Sequence, residues 1–163
     1  MPRNSTGAIS VLRRDPDSVR IGRAAAGFTV LAISPDADDH SSVAQLCSHS
    51  GWRFLSAQSG RQALDSIRSN RVTVVICERD LPDGNWRIVF DELERFPAAP
   101  LVIVVSRLAD DALWAEVLNV GGYDVLLKPF EPKELIWSVT SAYRHWESNP
   151  RETFSASPHP PAA

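Results

Sequence analysis

Four polar side chains stand where the apolar runs of this 163-residue chain give out. Ser34 closes FTVLAIS, Glu78 follows VTVVIC, Ser106 closes LVIVVS, and Lys128 follows DVLL. A carboxylate, an ammonium and two hydroxyls can do chemistry in two ways. Glu78 can act on a bound group that Lys128 and the hydroxyls orient, or it can serve as the charge partner that keeps a buried Lys128 ammonium satisfied. Other kinds of site are missing. There is no Gly-rich phosphate loop, no nucleophile elbow and no Cys/His cluster. The pair Gly121-Gly122 reads as a helix cap, and Cys47 and Cys77 read as small buried hydrophobes. An enzyme is therefore not expected.

The elements that must position these four residues follow from the hydrophobic pattern. FTVLAIS (28–34) reads as a strand, with Asp36 as the N-cap of a helix whose inner face carries Val43, Leu46 and Cys47. Gly51 ends that helix, and residues 52–57 alternate like a second strand. Ala63, Leu64 and Ile67 mark a second helix. VTVVIC (72–77) and LVIVVS (101–106) are continuous apolar runs, as strands buried on both faces should be. Between them the turn LPDG leads into a third helix through Val89 and Leu93. Ala109, Leu113, Val117 and Val120 give a fourth helix, DVLL (124–127) a fifth strand, and Leu135, Val139 and Ala142 a fifth helix. Five βα units in succession predict an α/β fold: a doubly wound, five-stranded parallel sheet with five helices. In such sheets the functional crevice lies at the carboxyl ends of the strands. That rule selects Ser34, Glu78, Ser106 and Lys128.

Composition sets the limits. Hydrophobic residues make up 44% and charged residues 23%, as in ordinary globular domains. Residues 1–27 and 147–163 show no sustained period and are read as disordered tails around a domain at 28–146. The net charge of −3 is unevenly spread. Five Arg against two Asp make the head basic and leave the central domain acidic, which argues against a nucleic-acid surface. No apolar run reaches 18 residues and no secretory signal opens the chain, so no membrane contact and a cytoplasmic location are expected.

Three features then carry a family resemblance over about residues 28–146. Lys128-Pro129-Phe130 follows the fifth strand, ERDLPDG (78–84) follows the third, and Ser106 ends the fourth. In this order and spacing they resemble a response-regulator receiver domain, the phosphoacceptor module of two-component systems, which has a flavodoxin-like fold. The resemblance implies a phosphorylated Asp four residues before Pro82, a Mg²⁺ held partly by an acidic pair after the first strand, and a cis bond between Lys128 and Pro129.

This sequence departs from that pattern at the acids. The acceptor position holds Glu78, the acidic pair falls on Ser34 and Pro35, and the aromatic three residues before the Lys is Val125. Mg²⁺ demands near-ideal octahedral oxygen geometry, and neither Ser34 nor Pro35 supplies a carboxylate. The extra methylene of Glu78 moves a nucleophile by roughly 1 Å, enough to cost on the order of 10²-fold. Loss of Mg²⁺ binding is expected, with no other cofactor. Asp36 is read as a cap and Asp80 as a solvated loop residue. Glu78 either imitates a phosphorylated Asp, reaching toward Ser106 and Lys128, or pairs with Lys128; with Val125 in place of the aromatic, pairing is favoured.

Of the five Trp, Trp52 and Trp86 should cover the core. Trp114 and Leu118 lie off the fourth helix's inner stripe, and Trp137 lies off the fifth's. The resemblance places these residues on the fourth-helix, fifth-strand, fifth-helix face through which receivers commonly pair. The expectation is a stand-alone atypical receiver that signals by phosphorylation-independent protein–protein interaction, with a protein partner or with itself. The alternative is a phosphorylatable receiver with an altered acceptor site.

Overall fold

The computed structural model describes residues 28–148. The expected tail at 1–27, and the expected tail at 147–163 from residue 149 on, lie outside the described residues. The fifth helix continues to Ser148, two residues past the expected boundary, with Tyr143 Oη donating to Glu147 Oε2 at 3.2 Å in its last turns.

The strands are β1 (Thr29–Ile33), β2 (Arg53–Ala57), β3 (Val74–Glu78), β4 (Leu101–Ser106) and β5 (Asp124–Leu127). The helices are α1 (Ala37–Ser50), α2 (Gly60–Ser69), α3 (Trp86–Leu93), α4 (Asp111–Val120) and α5 (Pro132–Ser148). All strand pairs of the main sheet are parallel, and the order is β2-β1-β3-β4-β5. This is the doubly wound order whose switch point lies between β1 and β3. The LPDG turn carries a two-residue antiparallel ribbon, Asp80–Leu81 against Gly84–Asn85, before α3 begins.

Alternation along the strands builds two cores. Leu31, Ile33, Val75 and Cys77 face α2, α3 and α4, together with Ala63, Val89 and Val117. Val30, Ala32, Val74 and Ile76 face α1 and α5, together with Val43, Leu46 and Val139. Each fully buried Val, Leu or Ile side chain contributes about 1.5–3 kcal/mol, so these layers fix which strand ends meet. Trp52 and Trp86 are buried, as expected.

The helix ends follow the expected chemistry. Asp36 caps α1, its carboxylate accepting from Asp38 N at 3.0 Å, and Gly51 closes that helix at φ 75°. Gly121 closes α4 at φ 109°, a conformation that L side chains rarely adopt, and Gly122 N–H donates to Val117 O at 2.8 Å. Helix α2 has a cap from outside its own segment: the Asp83 carboxylate accepts from Gly60 N and Arg61 N, each at 2.9 Å. Among the described residues no helix is long and apolar enough to cross a membrane.

Candidate functional site

Parallel registration brings the expected residues to one edge of the sheet. Glu78 pairs with Val105, Ser106 with Leu127, and Lys128 N–H donates to Ser106 O at 3.0 Å, so the third, fourth and fifth strands end together. Ser34 N–H donates to Ala57 O at 3.0 Å and continues the β1–β2 pairing. The crevice between these ends has a volume of about 310 Å³; besides Ser34, Pro35, Glu78, Ser106 and Lys128, its lining includes Asp36, Asp80, Arg79 and Arg107. A larger groove of about 550 Å³ runs between α2 and α3, but it lies away from the strand ends and carries none of these groups. The Lys128–Pro129 bond is cis, as the resemblance implies.

Lys128 is the centre of the site. Only 7% of the residue is exposed. Its ammonium donates to Asp39 Oδ2 at 2.7 Å and stands 2.5 Å from Glu78 Oε1. Both carboxylates hold the ammonium by hydrogen bonding as well as by charge, Asp39 from the helix and Glu78 from the end of β3. Burial alone would lower the Lys128 pKa, but the hydrogen bonds and charges of Asp39 and Glu78 outweigh it and raise the pKa above the usual lysine value. The ammonium therefore stays charged.

Asp39 is the site residue that sequence reasoning missed. It is buried on the first turn of α1, where it also accepts from Ser34 Oγ at 2.6 Å. Ser34 Oγ in turn accepts from Asp36 N at 3.0 Å. His40 Nε2 lies 2.7 Å from Ser34 O; a carbonyl oxygen can only accept, so Nε2 carries the proton. The signal for Asp39 was present: it precedes Val43 by four residues and so lies on the inward stripe of α1.

The remaining candidates resolve plainly. Glu78 Oε2 accepts from Arg79 N at 3.1 Å. Ser106 Oγ accepts from Leu108 N at 3.0 Å, so that hydroxyl is engaged by the loop before α4, and no hydrogen bond joins it to Glu78. The expectation that Glu78 reaches both Ser106 and Lys128 is met only at Lys128. Asp36 caps α1 and its other oxygen lies 3.5 Å from Arg107. Asp80 is exposed and pairs with Arg79 at 3.1 Å. Pro35 offers no ligand atom, and Val125 is buried in the core shared with α4. Burial pushes the Cys47 thiol up to about 12, and burial together with the Glu78 and Asp83 charges raises Cys77 as well, so neither is a thiolate at neutral pH.

Away from the crevice, Trp114 on α4 is 42% exposed and Trp137 on α5 is 69% exposed. Leu118 and Leu127 are exposed beside them in the sequence order α4, β5, α5, and both helices pack on β5.

Comparison with known proteins decides the family. The family model for the response regulator receiver domain matches residues 30–140. The chain belongs to that family. Among receiver-containing relatives, it is 30% identical over 122 residues to the DNA-binding response regulator MtrA of Mycolicibacterium smegmatis, covering 72% of this chain and 53% of that protein. It is 24% identical over 124 residues to the transcriptional regulatory protein ZraR of Escherichia coli, covering 76% of this chain and 28% of that protein. The chain thus spans about half or less of the curated relatives it matches. The Francisella response regulator 1452 receiver domain superposes with a TM-score of 0.66 at 26% identity, over 72% of this chain and 97% of that one. The signal receiver domain of a Luxo repressor protein from Vibrio parahaemolyticus superposes with a TM-score of 0.70 at 20% identity, over 74% and 93%.

Proposed function

We propose that this receiver works as a binding module whose output does not depend on phosphorylation or on Mg²⁺. The observation that carries this reading is the double engagement of Lys128 by Asp39 and Glu78. An incoming phosphoryl oxygen would have to compete with both carboxylates for the Lys128 ammonium. Here the two carboxylates already flank it.

The crevice residues do not fit Mg²⁺ either. An octahedral ion needs oxygens at ~2.0–2.1 Å arranged around one point. Asp39 Oδ2 is taken by Lys128 and Ser34, Glu78 Oε1 by Lys128, and Asp36 by its cap and Arg107. Among the described residues no group of three or more His, Cys, Asp and Glu converges as a metal site would require. Glu78 in this reading is a charge partner for Lys128, not an imitation of a phosphoryl group.

The partner surface is the face of α4, β5 and α5, where Trp114, Leu118, Leu127 and Trp137 stand exposed. Large aromatic side chains anchor interfaces because they bury much area at little entropic cost. The occupant is a protein, either a second copy or another chain; neither nucleic acid nor membrane suits this acidic domain. Intact-mass spectrometry after incubation with acetyl phosphate and Mg²⁺ tests the central claim. No mass gain is expected, and a stable phosphoryl adduct on the chain would establish the phosphorylatable reading instead.

A further inference from the structure

We propose that Asp39 is a positioning residue that withholds Lys128 from the crevice, so the pocket rejects a phosphoryl-like oxyanion even when the missing acids are put back. This rests on the phosphorylation-independent reading and adds a residue to its cause. On that reading alone, the site fails because Glu78, Ser34 and Pro35 replace the acids of the family pattern. The geometry adds a further obstacle that those three positions do not contain.

Burial and double hydrogen bonding set Asp39 apart. Asp39 reaches the site from the helix, not from the strand ends, and its side chain is 8% exposed. Its Oδ2 takes the aligned hydrogen bond of Lys128 at 2.7 Å and that of Ser34 at 2.6 Å. Two donors on one oxygen hold Lys128 and the loop after β1 in a single arrangement, and charge-assisted bonds of this length are the strong kind. Glu78 holds the same ammonium from the strand end, but engages no other side chain of the site. Replacing Glu78 by a shorter acid would leave Lys128 where Asp39 keeps it. An incoming oxyanion would then have to compete with a buried carboxylate for that ammonium, and would meet the negative charge of Asp39 behind it.

The test uses four full-length proteins: wild type, Asp39→Asn, the triple variant Ser34→Asp/Pro35→Asp/Glu78→Asp, and the triple variant carrying Asp39→Asn as well. The probe is beryllofluoride with Mg²⁺, followed in amide ¹H–¹⁵N spectra. The triple variant is expected to respond at least ~10-fold more weakly than the quadruple variant, a difference of about 1.4 kcal/mol. Equal responses, or none in either, overturn the proposal. A second readout avoids dependence on how the multiple variants fold: the Lys128 ammonium is titrated by ¹³C NMR in the single variant. Asp39→Asn is expected to lower the Lys128 pKa relative to wild type, whereas a residue that only fills space would leave it unchanged, and that result also overturns the proposal. A phosphoryl adduct on the wild-type chain would instead defeat the phosphorylation-independent reading, and the comparison of triple with quadruple variant would still decide the role of Asp39.

Discussion

Replacing Glu78 with Gln removes one of the two carboxylates that flank the Lys128 ammonium, and its cost follows from what remains. The side chains of Lys128, Asp39 and Glu78 are 6%, 8% and 13% exposed, so solvent screens little of their interaction. Breaking a buried pair from one side typically costs ~3–5 kcal/mol, because a charge is left without a partner. Glu78→Gln does not do that, since Lys128 keeps its 2.7 Å hydrogen bond to Asp39. The expected loss is therefore about 1 kcal/mol. Asp39→Asn takes the charge from the aligned bond and from the Ser34 contact, for about 2 kcal/mol. The double variant leaves the ammonium with no counterion and should reach the upper part of that range, about 4–5 kcal/mol. Coupling of about 1–2 kcal/mol is then expected, as for other residues in one charge network. Urea unfolding at pH 7, followed by tryptophan fluorescence, measures all three, with roughly 4 °C of Tm per kcal/mol as a check. A loss of 3 kcal/mol or more for Glu78→Gln alone would refute the reasoning, and so would strict additivity of the two substitutions.

Other expectations follow from the same geometry. Lys128 has a raised folded pKa, so its contribution is complete below the unfolded value of 10.5 and is lost as pH rises through the higher folded one. Wild-type stability should consequently fall more steeply than that of Lys128→Met above about pH 10.5 in alkaline unfolding series. Asp83 has a lowered pKa, chiefly through the backbone N–H groups of Gly60 and Arg61, so its contribution is present above 3.8 and lost as pH falls through the lower folded value. Asp83 is exposed, which limits the cost of Asp83→Asn to about 0.5–1 kcal/mol near neutrality; the gap from wild type should close toward pH 3. Trp114→Ala and Trp137→Ala should each change stability by no more than about 0.5 kcal/mol while weakening association measured by sedimentation velocity; an unchanged sedimentation profile together with unchanged partner capture would remove that face from the argument.

The parallel strands and the crevice were legible in the sequence because parallel strands buried on both faces read as continuous β-branched runs, and their last residues are forced to one edge. VTVVIC and LVIVVS mark Glu78 and Ser106 in this way without reference to any relative. The capping role of Asp36 was equally readable from its place before Ala37. Asp39 was not read, since an acid in a helix's first turn already has an ordinary explanation in the helix dipole. Its four-residue spacing to Val43 marks the inward face, but burying a charge there makes sense only once Lys128 arrives from the other side of the sheet. The orientation of Ser106 escaped notice for a different reason. Its partner is a backbone N–H two residues on, and sequence patterning carries no information about which way a hydroxyl turns. The exposure of Trp114 and Trp137 follows from their offset from the inner stripes, yet whether neighbours cover them is decided by tertiary packing.

The bond between Asp39 and Lys128 joins residues 89 positions apart in the chain. It cannot form until β1 and β5 have both been laid onto the sheet with β3 and β4 between them. Closing so long a loop offers no return until most of the sheet exists, so the charge network belongs to the last stage of folding. Contacts absent from the transition state act on the unfolding rate and leave the folding rate almost untouched. In a chevron plot Asp39→Asn should raise the unfolding limb and leave the refolding limb in place, and a φ-value above about 0.5 would contradict this. The crevice thus has a kinetic role besides any it plays in binding: it sets how long each folded molecule lasts, while the apolar layers set how quickly it forms.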